Sequence, residues 1–261
     1  SASLSRTPSS ASNRTTWTWS GWVKRAEITT TERTFFSAGT DGNNFTALAW
    51  INDSLYFQNY TSGTQTITNT TAVFRDPSAW YHIVLAIDTT QGTAANRAKI
   101  YVNGVQQAGF SGSPFSSSQQ FWINFTYTHR IGSRQLSSAD SFSEQYLTEV
   151  YFIDGQALTP SSFGETDTAT GVWKPKKYTG TYGTNGFYLK FSDIATTSGS
   201  NAGLGKDFSG NSNYWTTNNI SVTAGTTYDA MTDSPTLTSA TVANYPTLNP
   251  LIRPYSANTD I

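Results

Sequence analysis

The sequence predicts an all-β protein organised as an antiparallel β-sandwich, and three observations carry that prediction. Charged residues make up only 13% of the 261 residues, while aromatic residues make up 14%. Thr, Ser, Asn and Gly, which are poor helix formers, fill much of the remainder. Short stretches that alternate between polar and apolar residues recur between turn signals, and almost no stretch repeats with the period of a helix.

The first alternating stretch is Thr15–Arg25. Trp17 and Trp19 share one side of this strand, so that side is expected to face a core. Trp22 lies on the other side, where it is either covered by a loop or exposed as a platform.

The clearest strand is Trp80–Asp88, and because both of its alternating faces are rich in apolar residues, the sequence predicts burial of both. Asn103-Gly104 is a strong signal for a two-residue hairpin turn. The Thr-rich stretch Thr61–Thr71 fits either an exposed strand pair or a long loop. Further strands are expected at Arg33–Gly39, Ala47–Ile51, Leu55–Gln58, Lys99–Val102, Val105–Ala108, Phe121–Phe125, His129–Gly132, Tyr146–Asp154, Val172–Lys177, Phe187–Asp193, Tyr214–Thr217 and Ile220–Thr223.

Composition excludes several classes of function. The net charge is −1 and the isoelectric point is near 6.1, so we expect no nucleic-acid or membrane-surface partner. The chain has no cysteine, which excludes disulfides, thiolate metal sites and a cysteine nucleophile. No apolar run approaches the ~20 residues of a membrane helix.

The sequence predicts no enzyme. A glycosidase needs two carboxylates that face one cleft, but the only Glu followed by another acid two or four residues later is Glu165, which precedes Asp167 in a predicted loop. His82 and His129 are the only histidines. His82 alternates with core residues and is expected to be a hydrogen-bonded core histidine.

Five motifs follow one another along the chain: Trp19–Lys24, Trp80–Val84, Ile100–Gly104, Arg130–Ser133, and Leu147–Phe152 with Ala157–Thr159. In this order they resemble the concanavalin A-like jelly roll in its laminin-G-like branch, over Thr15–Phe163. The resemblance implies a jelly-roll sandwich.

The order of two further segments departs from that family. An opening strand and an Asp-X-Ser-Gly-Asn turn normally precede the Trp strand, but here Phe187–Phe191 and Asp207–Asn213 resemble them and come after it. We therefore expect a circularly permuted sandwich over residues 1–234, with residues 186–223 supplying late strands; a second, truncated module is the alternative. Pro235–Ile261, in which prolines interrupt isolated apolar residues, is expected to be an extended arm.

Calcium is the metal that the resemblance implies, since such folds often carry it. Asp207, Ser209, Asn211 and Asn213 place oxygen-bearing side chains at alternate positions around a glycine, as in a calcium loop. The alternative is an Asx-rich turn without metal. The turn at Asp41–Asn44 is a weaker candidate.

Aromatic side chains beside polar loops could stack on sugars. The candidates are Trp22, Trp50, Trp122, Tyr127 and Trp215. For each of them, packing in the core is the alternative.

The Trp strand, the Phe152–Pro160 stretch and the Lys206–Asn211 segment together also resemble modules in virion proteins of marine tailed bacteriophages. This implies a place on the virion surface, as a tail-fibre, tail-tip or head-decoration component, with other virion proteins and further copies of this chain as partners. The predicted function is therefore a non-enzymatic virion structural or adhesion module. A lectin that binds a host surface glycan through calcium-ordered loops is the second hypothesis, and a glycoside hydrolase is the third.

Overall fold

The computed structural model describes residues 2–108, 115–196, 199–222 and 229. The predicted arm, Pro235–Ile261, lies outside these residues. The described residues form seventeen strands: β1 Ser3–Arg6, β2 Thr16–Arg25, β3 Arg33–Asp41, β4 Asn44–Ile51, β5 Ser54–Thr61, β6 Thr64–Asn69, β7 Trp80–Asp88, β8 Ala98–Val102, β9 Val105–Gln106, β10 His129–Ile131, β11 Arg134–Gln135, β12 Ala139–Asp140, β13 Gln145–Asp154, β14 Gly164–Thr166, β15 Trp173–Pro175, β16 Phe187–Leu189 and β17 Thr216–Asn218. Single 3-10 turns lie at Ala94–Asn96, Pro160–Ser162 and Gly203–Gly205.

Two antiparallel sheets form the sandwich. The seven-stranded sheet has the order β17-β1-β10-β3-β4-β5-β6, and the six-stranded sheet has the order β16-β13-β2-β7-β8-β9. Two small hairpins, β11-β12 and β14-β15, lie outside these sheets. The predicted all-β antiparallel sandwich is confirmed.

The core between the sheets is built around β2. Trp17 and Trp19 are fully buried, as their shared parity predicts. The Trp17 ring lies 5.6 Å from Phe57 and 5.8 Å from Phe152, so it joins the two sheets. Full burial of a large apolar side chain contributes roughly 1.5–3 kcal/mol. Gly21 is required beside Trp19, because a Cβ atom there would lie 2.6 Å from its ring.

The six-stranded sheet is buried on its second face as well. Val84 and Ala86 of β7 pack there with Phe163 and Tyr178 from the segment that follows β13. The prediction that both faces of Trp80–Asp88 are buried is therefore correct.

Trp22 lies on this second face and is covered rather than exposed. Its ring stacks on His82 at 5.1 Å, and Trp173 stacks on the same histidine at 5.9 Å. The Trp173 indole donates a hydrogen bond of 2.9 Å to His82 Nδ1, so His82 Nε2 donates to Ser20 Oγ, also at 2.9 Å. The expected hydrogen-bonded core histidine is present.

The strands that follow Pro160 pair with strands from the first part of the chain. β16 adds to the six-stranded sheet beside β13, with Tyr151 opposite Tyr188. β17 adds to the seven-stranded sheet beside β1, with Leu4 opposite Thr217. Whether this order reflects a circular permutation stays a prediction.

The structure differs from the sequence-based expectation, or completes it, at four places. β1 was missed because only Leu4 and Ser3 of its four residues are buried, so Ser3–Arg6 has little apolar signal. Phe121–Phe125 is a loop, since Asn124 has a φ of +64° and the Phe125 amide bonds back to the Trp122 carbonyl. Residues 220–222 form no strand. Within the Thr-rich stretch, whose sequence fits either a strand pair or a long loop, the structure has the strand β6.

We predict that a chain ending at Phe163 does not unfold cooperatively. It loses β16 and β17, and with them the buried side chains of Phe187, Leu189 and Trp215, which exposes the edge of β13. Urea unfolding followed by tryptophan fluorescence measures this. A chain ending at Val222, which keeps all seventeen strands, is the control and should show one sharp transition. A stable, cooperative fragment ending at Phe163 would show that the late strands are dispensable.

Candidate functional site

A polar cleft of about 380 Å³ lies between the β5-β6 hairpin and the loop that precedes β10. Its lining combines hydroxyl, amide and guanidinium groups with one indole ring, namely Arg14, Asn59, Thr61, Thr64, Thr66, Ser116, Gln119, Gln120 and Trp122. Concave sites that combine aromatic surface with a few convergent polar groups are typical of small-ligand binding.

Trp122 belongs to an aromatic cluster at the cleft. Its ring lies 5.4 Å from Tyr127 and 6.1 Å from Phe125. The indole N–H donates to the Tyr60 carbonyl at 2.8 Å, and the Trp122 amide donates to Thr46 Oγ1 at 2.9 Å. The ring is thus held in one orientation, while Tyr127 keeps 38% of its surface exposed.

Buried polar groups position the loop that carries this cluster. Asp154 Oδ1 accepts hydrogen bonds from Asn124 Nδ2 at 2.9 Å and from the Asn13 amide at 3.2 Å. His129 Nε2 accepts from the Asn124 amide at 3.0 Å, and His129 Nδ1 donates to the Tyr127 carbonyl at 2.8 Å. The cleft is therefore largely preformed.

The aromatic candidates separate into two groups. Trp22, Trp50 and Trp215 are at most 2% exposed, so their ring faces are covered by protein and cannot stack on a ligand. This corrects their selection as sugar-stacking residues. Trp122 lines the cleft and Tyr127 packs against the Trp122 ring beside it, so the prediction narrows to these two.

Other lining residues were not selected from the sequence. Arg14, Asn59 and Gln119 come from three distant segments, and no local motif joins them. One signal was available: Thr64 and Thr66 have the same parity in β6, and Gln119 Nε2 donates to Thr66 Oγ1 at 2.6 Å. A row of polar residues at alternate positions of a partly exposed strand can indicate a lined cleft.

The proposed calcium loop is closed by its own hydrogen bonds. Asp207 Oδ1 accepts from the amides of Tyr188 and Ser209, and Oδ2 accepts from Ser209 Oγ and the Asn213 amide, all between 2.7 and 2.9 Å. The amide nitrogens of Asn211 and Asn213 donate to backbone carbonyls of the segment before β16. This is the pattern of an Asx-rich turn. Calcium binding here stays a prediction.

The weaker candidate at Asp41–Asn44 also forms a turn. Hydrogen bonds from Asn44 Nδ2 and the Asn43 amide lower the pKa of the Asp41 carboxyl. Within the described ranges, no three or more His, Asp or Glu side chains come together as a group that could hold a metal ion.

Glu165 and Asp167, the acids considered for catalysis, are both paired with Lys174. Lys174 Nζ lies 3.5 Å from Glu165 and 3.1 Å from Asp167. The hydrogen bond from Lys174 lowers the pKa of Asp167 to about 2, so this carboxyl is ionised at neutral pH. Glu149, which is buried, accepts hydrogen bonds from the hydroxyls of Tyr188 at 2.7 Å and Tyr151 at 3.0 Å.

A second groove, of about 410 Å³, lies between β1, β13 and the segment after β16. It is lined in part by apolar side chains, including Leu4, Leu147, Phe191 and Ile220. Glu144 and Asp229 border it, and Asp229 Oδ2 accepts from the Ser221 amide at 2.7 Å. The described residues contain no helix with the length and hydropathy needed to cross a membrane.

The strand topology defines an antiparallel β-sandwich of two sheets, and a polar cleft lies on it. Residues 2–162 match the family model of the concanavalin A-like lectin/glucanases superfamily, which is more than half of the chain. The chain therefore belongs to that superfamily, and the resemblance to a concanavalin A-like jelly roll is confirmed. Because the superfamily includes both binding proteins and enzymes, membership alone decides neither.

Solved structures with a similar fold share little sequence with this chain. A heptameric SAP-like pentraxin from Limulus polyphemus is 18% identical over 60% of this chain and 71% of its own, with a TM-score of 0.44. Domain 4 of AbnA, a GH43 extracellular arabinanase from Geobacillus stearothermophilus solved with arabinotriose, is 21% identical over 57% of this chain and 65% of its own, with a TM-score of 0.42. Trypanosoma rangeli sialidase in complex with sialic acid is 19% identical over 57% of this chain and 22% of its own, with a TM-score of 0.40. These likenesses carry no information on ligand or activity. A comparison with curated proteins gives no match.

We predict that the two histidines make stability depend on pH between about 4 and 6.5. Burial lowers the pKa of His82 to about 3 and that of His129 to about 4, from the ordinary 6.5. The unfolded chain therefore binds more protons in this range, so the free energy of unfolding falls as the pH is lowered through it. At pH 5.5 each histidine costs about 1.4 kcal/mol relative to high pH.

Urea unfolding at pH 7.5 and pH 5.5 measures this difference. The double variant His82→Gln/His129→Gln is the control, and its free energy of unfolding should change much less between the two pH values. Equal free energies for the unmodified chain at both pH values would contradict the assignment of two buried neutral imidazoles.

We predict that Asp207→Asn lowers the free energy of unfolding by about 2 kcal/mol, since an amide nitrogen would face donors that now bond to a carboxylate. For the self-bonded turn, the loss is the same in EDTA and in calcium. Asp76→Asn is the matched control, because Asp76 makes the same bonds to Ser78 at an exposed turn. A melting temperature that rises with calcium, and only when Asp207 is present, would instead show that the loop binds the ion.

Proposed function

We propose that this chain is a non-enzymatic carbohydrate-binding module and that the cleft at Trp122 is its ligand site. The observation that carries this proposal is the combination of a fixed indole ring and an exposed Tyr127 with the polar lining of the cleft. Membership of a superfamily of lectins and glucanases supports the same class of ligand.

Sugar recognition uses both kinds of group. The apolar face of a pyranose ring packs on an aromatic ring, and its hydroxyls exchange hydrogen bonds with amides and hydroxyls. Here Gln119 and Gln120 supply amides beside Trp122, and Thr64 and Thr66 supply hydroxyls. Several of these groups already bond to each other, as Gln119 does to Thr66, so the site needs little rearrangement.

We also propose that the chain does not hydrolyse the glycans that it binds. Among the described residues that line the cleft there is no carboxylate, and a glycosidase needs two. Glu165 and Asp167 are paired with Lys174, and Glu149 is buried beneath tyrosines. Incubation with glycans that bind should therefore release no reducing sugar.

We propose that the chain uses this binding for adhesion, as a component of a virion. The sequence resemblance to phage virion modules supports it, and a rigid sandwich with a glycan cleft suits attachment to a host surface. This setting includes further copies of the chain and other virion proteins as partners, with the arm Pro235–Ile261 as a contact. Co-assembly of the chain with particle proteins, and its loss when residues 235–261 are removed, would support it; a monomer that joins no particle would contradict it.

We predict that Trp122→Ala and Tyr127→Ala each weaken glycan binding about tenfold, because each removes an aromatic stacking surface. A glycan array identifies the ligand, and calorimetry measures the affinities. Tyr146→Ala is the matched control, since Tyr146 and Tyr127 are both 38% exposed and only Tyr127 lies in the cluster. Binding that is lost on Tyr146→Ala and kept on Tyr127→Ala would place the site at the second groove instead.

A further inference from the structure

The cleft holds a cation whose charge no carboxylate of the described chain balances. Arg14 Nε donates to the Phe121 carbonyl and Nη1 donates to Gln120 Oε1, both at 2.7 Å. The guanidinium carbon lies 4.0 Å from the centre of the Phe125 ring. The described part of the chain offers Nη2 no hydrogen-bond acceptor.

Three arginines with largely buried side chains each meet a carboxylate, as buried charges usually do, whereas Arg14 is partly exposed. These pairs are Arg25 with Asp53 at 3.0 Å, Arg33 with Glu27 at 2.6 Å, and Arg134 with Glu32 at 2.8 Å and with Asp140 at 2.7 Å. Around Arg14 only neutral acceptors and aromatic rings are present among the described residues. Arg6, Arg97 and Arg130 also bond to neutral acceptors, but none of them lines the cleft.

Arg14 is nevertheless held firmly. Its two hydrogen bonds and the Phe125 ring fix the guanidinium plane at the cleft, and the Arg14 carbonyl accepts from the Phe121 amide at 3.1 Å. Burial lowers the pKa of Arg14, but an arginine titrates so far above neutral pH that the side chain keeps its charge. A preorganised cation with a free donor is suited to an anionic oxygen.

We infer that the ligand of this cleft is an anionic glycan, whose carboxylate or sulfate group pairs with Arg14 while a sugar ring packs on Trp122. This inference rests on the proposed function, because it names the class of sugar that the same site takes. The ion pair forms in a partly desolvated cleft, where it is worth more than on an open surface. Sugars without the anionic group would leave the guanidinium unpaired.

The test compares sugars that differ only in charge. Calorimetry measures binding of oligogalacturonate against its methyl ester, and of sulfated galactan oligosaccharides against the same oligosaccharides after desulfation. The unmodified chain should bind at least one anionic member about tenfold or more tightly than its neutral partner, and that preference should shrink when salt is raised. The two pairs distinguish a carboxylate ligand from a sulfate ligand.

Three variants assign the preference to Arg14. Arg14→Gln should abolish the preference by lowering the affinity for the anionic member to that for its neutral partner. Arg14→Lys, which keeps the charge without the planar fork, should retain part of it. Lys177→Gln removes one positive charge from an exposed position away from the cleft and should change nothing. Melting temperatures confirm that each variant is folded.

The outcomes separate the two claims. Equal binding of charged and neutral members that is lost on Tyr127→Ala would overturn the anionic ligand and leave the carbohydrate site standing. Equal loss of both members on Arg14→Gln would overturn the ion pair, because Arg14 would then only support the loop. No binding of any glycan, on the array or in these pairs, would overturn both claims.

Discussion

The part of the sandwich that carries the cleft depends on the hydrogen bonds accepted by one buried carboxylate, that of Asp154. It ends β13, is 6% exposed, and accepts hydrogen bonds from three segments far apart in sequence, at Asn13, Asn124 and Asn185. Bonds to a buried charge are worth about 1.5–3 kcal/mol each, and losing the acceptor would strand several donors. One residue therefore holds the entry to β2, the loop of the aromatic cluster and the approach to β16 together.

The chain around Asp154 is fitted closely to this role. The Asp154 amide donates to the Tyr182 carbonyl at 2.9 Å, which brings the late segment back against β13. At Gly183 a Cβ atom would lie 2.3 Å from the Asp154 carbonyl oxygen, so only glycine allows the approach. The Asp-Gly break after β13 thus ends a strand and also begins the return of the chain to the sandwich.

Strands with a strong alternation of residue types could be predicted from the sequence, because the burial of a strand face places apolar residues at alternate positions. Trp80–Asp88 has the bounds of β7, and the Asn103-Gly104 turn joins β8 to β9 with both residues at positive φ. β1 was missed because a strand of four residues, half of them partly exposed, needs few apolar side chains. The segment Phe121–Phe125 is rich in apolar residues although it is a loop, because its side chains pack into the core and the cleft.

The site could be predicted only in part. An aromatic residue beside a polar loop is visible in sequence, but Trp50 and Trp122 are alike at that level, and only packing buries one and leaves the other half-buried. No sequence motif marks Arg14. Its importance comes from the absence of a carboxylate around it among the described residues, which only the three-dimensional structure reveals. The alternating oxygens of Asp207–Asn213 predict both a metal loop and a self-bonded turn, and a pattern of residue types does not distinguish them.

The pairing of β1 with β17 has a mechanical consequence. Ser3 lies opposite Asn218 and Ser5 opposite Thr216, so the chain enters and leaves the sandwich from the same corner of one sheet. Tension between the two ends would load these hydrogen bonds one after another, as in opening a zip, rather than all at once in shear. The strand pair would part at low force while the sheets behind it stay closed.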